Sequence, residues 1–241
     1  MATLADLFKT CYLTGGSGVE FSAIRLHHRG VDEIYRAGNR VGSLSLMFTM
    51  DFTVRPATSA QWPALEDLFG RSGASNGCWC MYWRIGPRYR DRPRADNKED
   101  LRQLAASGRP PGLLAFDGDR AVGWCELAPR AELAWLARAR YLGPVDDLPV
   151  WSVPCFYVRS SHRGRGVMDA LIEAALPTAA TAGAPALEAY PVDTTVPSHT
   201  GNLFPGIAAA FTRHGFEEVA RRKPDRPVMR KLLGDVRDSS T

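Results

Sequence analysis

The sequence predicts an α+β fold, and three observations carry that prediction. A segment with helical apolar spacing precedes a strand hairpin, a strand runs through a glycine-containing turn into a long amphipathic helix, and two strands follow the last helix. Taken in order, Phe52 and Val54 alternate with polar neighbours as a strand, and residues 56–59 supply a turn and helix cap. Trp62, Leu65, Leu68 and Phe69 have helical spacing that Gly70 closes. After a loop rich in aromatics and arginines, a second helix is expected over 97–106. Residues 112–116 and 121–128 read as strands joined by Asp117, Gly118 and Asp119, whose Asp-Gly pair favours a tight hairpin. Residues 150–158 form a third long strand. The turn at 163–166 opens a helix with Val167, Met168, Leu171, Ile172 and Ala175 on one stripe. A strand over 186–192, a helix over 205–214 and strands over 216–223 and 228–233 complete the series.

Bulk composition excludes little. The 241 residues suffice for one domain plus an appendage, and 45% apolar with 23% charged residues is ordinary for a globular chain. Thirty basic against twenty-six acidic residues give +4, too balanced to argue for nucleic acid. Arginine is unevenly placed, since Arg84, Arg88, Arg90, Arg92 and Arg94 are opposed only by Asp91. That stretch suits a solvated loop, or a surface for an anionic cofactor, acidic substrate or RNA. Five scattered cysteines, Cys11, Cys78, Cys80, Cys125 and Cys155, are expected as reduced thiols. No apolar run approaches a bilayer span and no export signal is evident, so a soluble, cytoplasmic protein is expected. Gly15, Gly16, Gly18, Gly30, Gly38 and Gly42 interrupt every short apolar run before residue 50. Residues 1–49 are therefore expected to be an extension, disordered or not native, with Met50 or Met47 as the native start. Residues 50–233 form the domain and 234–241 a polar tail. Deleting 1–49 is expected to leave thermal stability and turnover unchanged.

The turn at 163–166 has the makings of an anion site. A helix N-terminus leaves backbone N–H groups unpaired, Gly164 and Gly166 allow close approach, and Arg163 and Arg165 add charge. A diphosphate suits such a cradle, with a plain structural turn as the bland alternative. A nucleoside-triphosphate loop needs Lys and then Ser or Thr after its last glycine, where Val167 and Met168 stand. A dinucleotide fingerprint needs a third small residue, where Asp169 stands.

From Val158, the string VRSSHRGRGVMDALIEAAL resembles motif A of the GNAT acetyltransferase superfamily, whose Arg/Gln-x-x-Gly-x-Gly/Ala loop grips the pyrophosphate of acetyl-CoA. Ser161 departs from that pattern at the Arg/Gln position. FTVRPATSAQWPALEDLF from Phe52 and FTRHGFEEVAR from Phe211 are similar to the first and last elements of such proteins. GCWCMYWR, VGWCELAPR and PVWSVPCFYV resemble one bacterial branch.

The resemblance implies a mostly antiparallel sheet of about seven strands flanked by helices, with the strands at 150–158 and 186–192 starting paired and splaying apart. Pantetheine then lies in the gap, with Phe156, Tyr157 and Val158 as its expected backbone partners and Arg163, Gly164, Arg165, Gly166 and Val167 on the phosphates. Pro154 suits a bulge there. The implied chemistry is direct transfer of an acetyl group to an amine on a small molecule or a protein, with backbone N–H groups near Cys155 and Phe156 holding the oxyanion. Glu126 is the expected general base and Glu188 the second candidate, each with a surface ion pair as its alternative. The tyrosine that protonates the leaving thiolate in this superfamily falls at Phe211, and the frequent helix-opening asparagine at Phe204, with Asn202 two residues early. Tyr190 is the expected substitute as general acid, with Tyr157 or solvent as alternatives.

Cys78 and Cys80 lack zinc-knuckle spacing, so no metal is expected. Trp79, Tyr82 and Trp83 line an acceptor pocket or pack as core, and His162, His199 and His214 show no ligand spacing. A noncatalytic acyl-CoA-binding module is the contrary reading, motivated by Phe211. RNA binding ranks last, no membrane partner is expected, and a homodimer stays open.

Overall fold

A computed structural model describes residues 52–197 and 201–234. The segment read as an extension, 1–49, lies outside the described residues, as do His199 and the tail from 235. Among the described residues, nine strands form two sheets. The first has the order β1 (Thr53–Pro56), β2 (Gly112–Asp117), β3 (Arg120–Glu126), β6 (Phe156–Val158), antiparallel throughout. The second has the order β4 (Ala128–Pro129), β5 (Trp151–Val153), β7 (Ala186–Ala189), β9 (Pro227–Leu232), β8 (Glu217–Arg221), and β5–β7 is its one parallel pair. The mixed, mostly antiparallel architecture agrees with expectation. The count of nine exceeds about seven because the strand expected at 150–158 is divided and Ala128–Pro129 pairs separately.

Helices cover both faces of the first sheet because its strands are apolar on both. In β2, Leu113 and Ala115 join one buried cluster while Leu114 and Phe116 join another. The first cluster receives α5 (Val167–Thr181) and α6 (Ala208–Arg213) through Val167, Leu171, Ile172, Ala175 and Phe211. The second receives α1 (Trp62–Phe69) and α3 (Arg94–Ala106), through Leu65, Leu68, Phe69 and Leu101. The first turn of α3 precedes the expected start at Asn97 because Pro93 caps it in an extended conformation. Two short helices, α2 (Tyr82–Ile85) and α4 (Ala134–Arg138), are too brief to leave an apolar period in the sequence.

Gly123 lets α5 sit close to β3. A Cβ added there would lie 2.3 Å from Val167 Cγ1 and 3.3 Å from Leu171 Cδ1. The Gly123→Ala variant is expected to lose about 1–3 kcal/mol of stability, as overpacking in cores does. Its urea midpoint should fall accordingly, and an unchanged midpoint would show that α5 has slack.

Pro154 and Cys155 divide what would have been one strand. Before them, Trp151, Ser152 and Val153 pair in parallel with Leu187, Glu188 and Ala189. After them, Phe156, Tyr157 and Val158 pair with Cys125, Trp124 and Gly123 of the other sheet. The partner strand turns away as well: Val192 donates to the Gly206 carbonyl at 2.9 Å and accepts from Ala208 at 2.9 Å. Regular pairing of β7 accordingly ends at Ala189 rather than 192, and the helix expected from Pro205 starts at Ala208. Two strands that begin side by side thus part at the proline, which has no N–H to continue a ladder.

Candidate active site

The edge of β6 that faces the parting carries the backbone groups of alternate residues. Glu126 donates to the Cys155 carbonyl and Arg159 to the Val122 carbonyl, both at 2.9 Å, so the odd-numbered residues face β3. Tyr157, between them and opposite Trp124, therefore spends its backbone groups within the sheet. Phe156 and Val158 face the gap. The Phe156 N–H donates to the Phe204 carbonyl at 2.7 Å, and the Val158 carbonyl accepts from Arg163 Nε at 3.3 Å.

Beyond β6 the chain enters the glycine turn and α5. The first backbone hydrogen bond of the helix runs from the Ala170 N–H to the Gly166 carbonyl at 3.0 Å. Among the described residues, no backbone carbonyl accepts from the N–H groups of Gly164, Arg165, Gly166, Val167, Met168 or Asp169. Gly164 and Gly166 hold φ of 72° and 85°, and a Cβ on either would project into open space. Side chains are thus missing where a ligand's oxygens would approach the backbone, and the start of a fifteen-residue helix lies behind them. Residues 163–167 fit a diphosphate on these grounds. Ser161 is turned aside, hydrogen-bonded to His162 Nδ1 at 2.9 Å.

Glu126 stands at the end of β3, 1% exposed, beside the strand break. Burial raises its pKa from 4.5 to about 7, against the opposing pull of Arg84. Arg84 Nε lies 3.2 Å from Oε1 without the alignment of a hydrogen bond, and Oε2 has no partner among the described residues. Facing it are thiols. Cys80 Sγ is 3.8 Å from Cys155 Sγ, and burial, with a smaller push from the nearby carboxylate, raises the pKa values of Cys78 and Cys125. All four are free, and the described residues contain no cluster of three or more metal-ligating side chains.

The segment bearing Cys80 is bent by residues in the left-handed region, among them the non-glycines Ala74, Asn76, Trp79 and Cys80. Such conformations cost about 1–3 kcal/mol each and persist only where packing fixes them. Here packing does fix them. Trp79 stacks on Trp62 at 6.0 Å, and Trp83 donates Nε1–H to the Pro154 carbonyl at 3.1 Å, tying α2 to the strand break. Trp79 and Trp83 are core, 5% and 2% exposed, whereas half-buried Tyr82 meets Trp83, Tyr89 and Phe204 edge-on.

Glu188 and Tyr190 lie elsewhere, in a network across the second sheet. Glu188 is 1% exposed and is bonded by Arg230 at 2.7 and 3.0 Å and by the Tyr190 hydroxyl at 2.9 Å. Tyr190 also accepts from Arg130 and meets Ser152 Oγ at 2.8 Å. Its hydroxyl is enclosed, and burial, then Glu188, push its pKa well above the ordinary phenol value. Both residues therefore fasten β5, β7 and β9 together. Tyr190→Phe is expected to cost about 1–3 kcal/mol of stability, because it strips partners from buried charges. Thermal denaturation checks this.

Sequence reasoning did not separate Arg84 from the four other arginines, read together as a solvated loop or as a surface for an anionic cofactor, acidic substrate or RNA. In the structure Arg92 pairs with Asp100 at 2.7 Å and Arg90 lies over the Tyr89 ring, while Arg84 alone turns inward, 10% exposed. The one signal was its place in a helix turn between Trp83 and Ile85. Phe211 is fully buried between Phe156 and Phe216, with no hydroxyl to offer.

Residues 76–202, just over half the chain, match the model of the Acetyltransferase (GNAT) family. The chain belongs to the GNAT acetyltransferase family. Acetyl-CoA is the acyl donor of these enzymes. Among solved structures, this GNAT chain is similar to yncA from Salmonella typhimurium with its cofactor acetyl-CoA (15% identity, 76% of this chain and 95% of that one, TM-score 0.47). It is also similar to the PaiA N-acetyltransferase of Thermoplasma acidophilum in complex with coenzyme A (13%, 76% and 99%, TM-score 0.45). A third is the ribosomal-protein-alanine N-acetyltransferase of Brucella melitensis (20%, 75% and 99%, TM-score 0.45). No curated protein sequence matches the chain. Among the described residues, no helix of this GNAT protein is long and apolar enough to cross a membrane.

Proposed function

We propose that this GNAT protein moves an acetyl group directly from acetyl-CoA to an amine, on a small molecule or a protein, within a ternary complex. Glu126 is its general base. The observation that carries this reading is a buried carboxyl group titrating near neutrality, with one oxygen unpartnered, next to the residue where two paired strands part. A base poised near the working pH accepts a proton most effectively.

Around it, the N–H groups from Gly164 to Val167, with the guanidiniums of Arg163 and Arg165, hold the diphosphate. Phe156 and Val158 offer backbone groups to pantetheine at the gap edge. Tyr157 supports them through the sheet and by packing its ring on Phe69 at 5.5 Å. The Phe156 N–H, once released from the Phe204 carbonyl, polarises the thioester oxygen, and Glu126 removes the ammonium proton. The leaving sulfur needs no side-chain acid, because thiols ionise only about one and a half units above neutrality. Tyr190, enclosed and hydrogen-bonded, holds the second sheet in place and transfers no proton.

The test is acetyl-CoA-dependent release of free thiol across an amine panel. Turnover with any amine supports the reading. Coenzyme A binding without turnover on a broad panel would favour a noncatalytic acyl-CoA-binding module, which the apolar Phe211 motivates.

A further inference from the structure

A cleft of about 210 Å³ opens beside Leu127 and Ala128, directly after the proposed base, and is lined also by Arg84, Ser107, Arg109 and Glu132. Its composition is unusual in one respect. The Arg84 side chain is nine-tenths buried, and its Nε is enclosed beside Glu126 without an aligned hydrogen-bond partner. Its contacts are ionic only: Nε lies 3.2 Å from Glu126 Oε1 and Nη1 lies 3.7 Å from Glu132 Oε2. The outer nitrogens remain available to a ligand, and the partner that matches their planar fork is a carboxylate. Arg109 stands at the rim, 62% exposed and bonded to Glu132. Two guanidiniums and Glu132 therefore line the cleft, and Glu126 behind Arg84 balances the second guanidinium only when it has lost its proton.

We propose that this cleft is the acceptor subsite and that it selects an amine bearing a carboxylate, of the size of a free α-amino acid. The assignment rests on the acyl-transfer reading above. Arg84 reads the carboxylate through its outer N–H groups while its Nε edge faces the base, so the bound amine and Glu126 lie on neighbouring sides of one guanidinium. A lysine side chain or a protein amino terminus brings no such carboxylate, and so gains nothing from Arg84. Binding also tunes the base. An anion on Arg84 offsets the charge that lowers the Glu126 pKa, and the carboxylate becomes a stronger proton acceptor when the acceptor is seated.

The experiment is calorimetric titration of the full chain with the α-amino acids and with the α-carboxamide of each, and separately with coenzyme A. At least one amino acid is expected to bind tenfold or more tightly than its amide. Arg84→Gln should erase that ratio, Arg109→Gln at the exposed rim should reduce it several-fold, and both variants should bind coenzyme A as the parent does. Equal affinity for acid and amide, or no binding by any amino acid while coenzyme A binds, overturns the proposal. Should Arg84→Gln not fold, an undiminished ratio in Arg109→Gln also counts against it. Loss of coenzyme A binding in the parent chain, with the acid-to-amide ratio intact, would instead refute the acyl-transfer reading and leave the cleft's selectivity standing.

Discussion

Replacing Glu126 with Gln is expected to lower kcat by about 10²–10⁴-fold while leaving coenzyme A affinity unchanged. General-base catalysis is worth that much, and an amide of the same shape keeps the packing without accepting a proton. In the parent enzyme, kcat/KM should rise with pH through about 7, where the carboxyl loses its proton. The same group makes stability fall with pH. Its pKa is raised on folding from 4.5 to about 7, so the folded state binds more protons than the unfolded chain between those values. The stabilisation is complete below pH 4.5, declines up to about 7 and is flat above, a loss of roughly 3 kcal/mol from this residue alone. Glu126→Gln should remove that decline, leaving a variant more stable than the parent at pH 8 though far less active. Urea titrations at pH 5 and 8 read the stability, and stopped-time thiol assays read the rate. A variant that keeps parental kcat would remove Glu126 from the mechanism.

Gly166→Val is the second large effect. The position holds φ of 85°, which a β-branched residue adopts at a cost of about 1–2 kcal/mol, and it places a side chain in the open space before the helix start. Excluding the ligand from one or two of the N–H groups removes charge-assisted hydrogen bonds worth about 1.5–3 kcal/mol each. The affinity for coenzyme A should therefore fall at least about tenfold. Fluorescence or calorimetric titration reads the loss, and a control ligand without phosphates separates it from unfolding. Dephosphorylated pantetheine, which never reaches the turn, should bind both proteins alike.

What the sequence disclosed was what local spacing encodes. Gly164, Gly166 and the stripe from Val167 to Ala175 are close neighbours in the chain, and α5 with the glycine turn that opens it followed from them alone. Glu126 was recoverable because strand alternation places it beside Trp124 on one face. Arg84 was not, since its inward turn depends on Trp83 reaching the distant Pro154 carbonyl. Nor was the seclusion of Tyr190, which Arg130, Ser152 and Glu188 enforce from separate elements. The left-handed run at residues 74–80 left no mark either, because of its four non-glycines only Asn76 is a type that tolerates that region readily.

The Phe156 amide already has an acceptor in Phe204. Any molecule that lays its own carbonyl against that amide must first evict a neighbour, so the measured affinity is a difference between two contacts rather than the value of one. Shortening or stiffening the chain around Phe204 would thus alter how quickly donors load, even though no residue there need touch the reacting atoms.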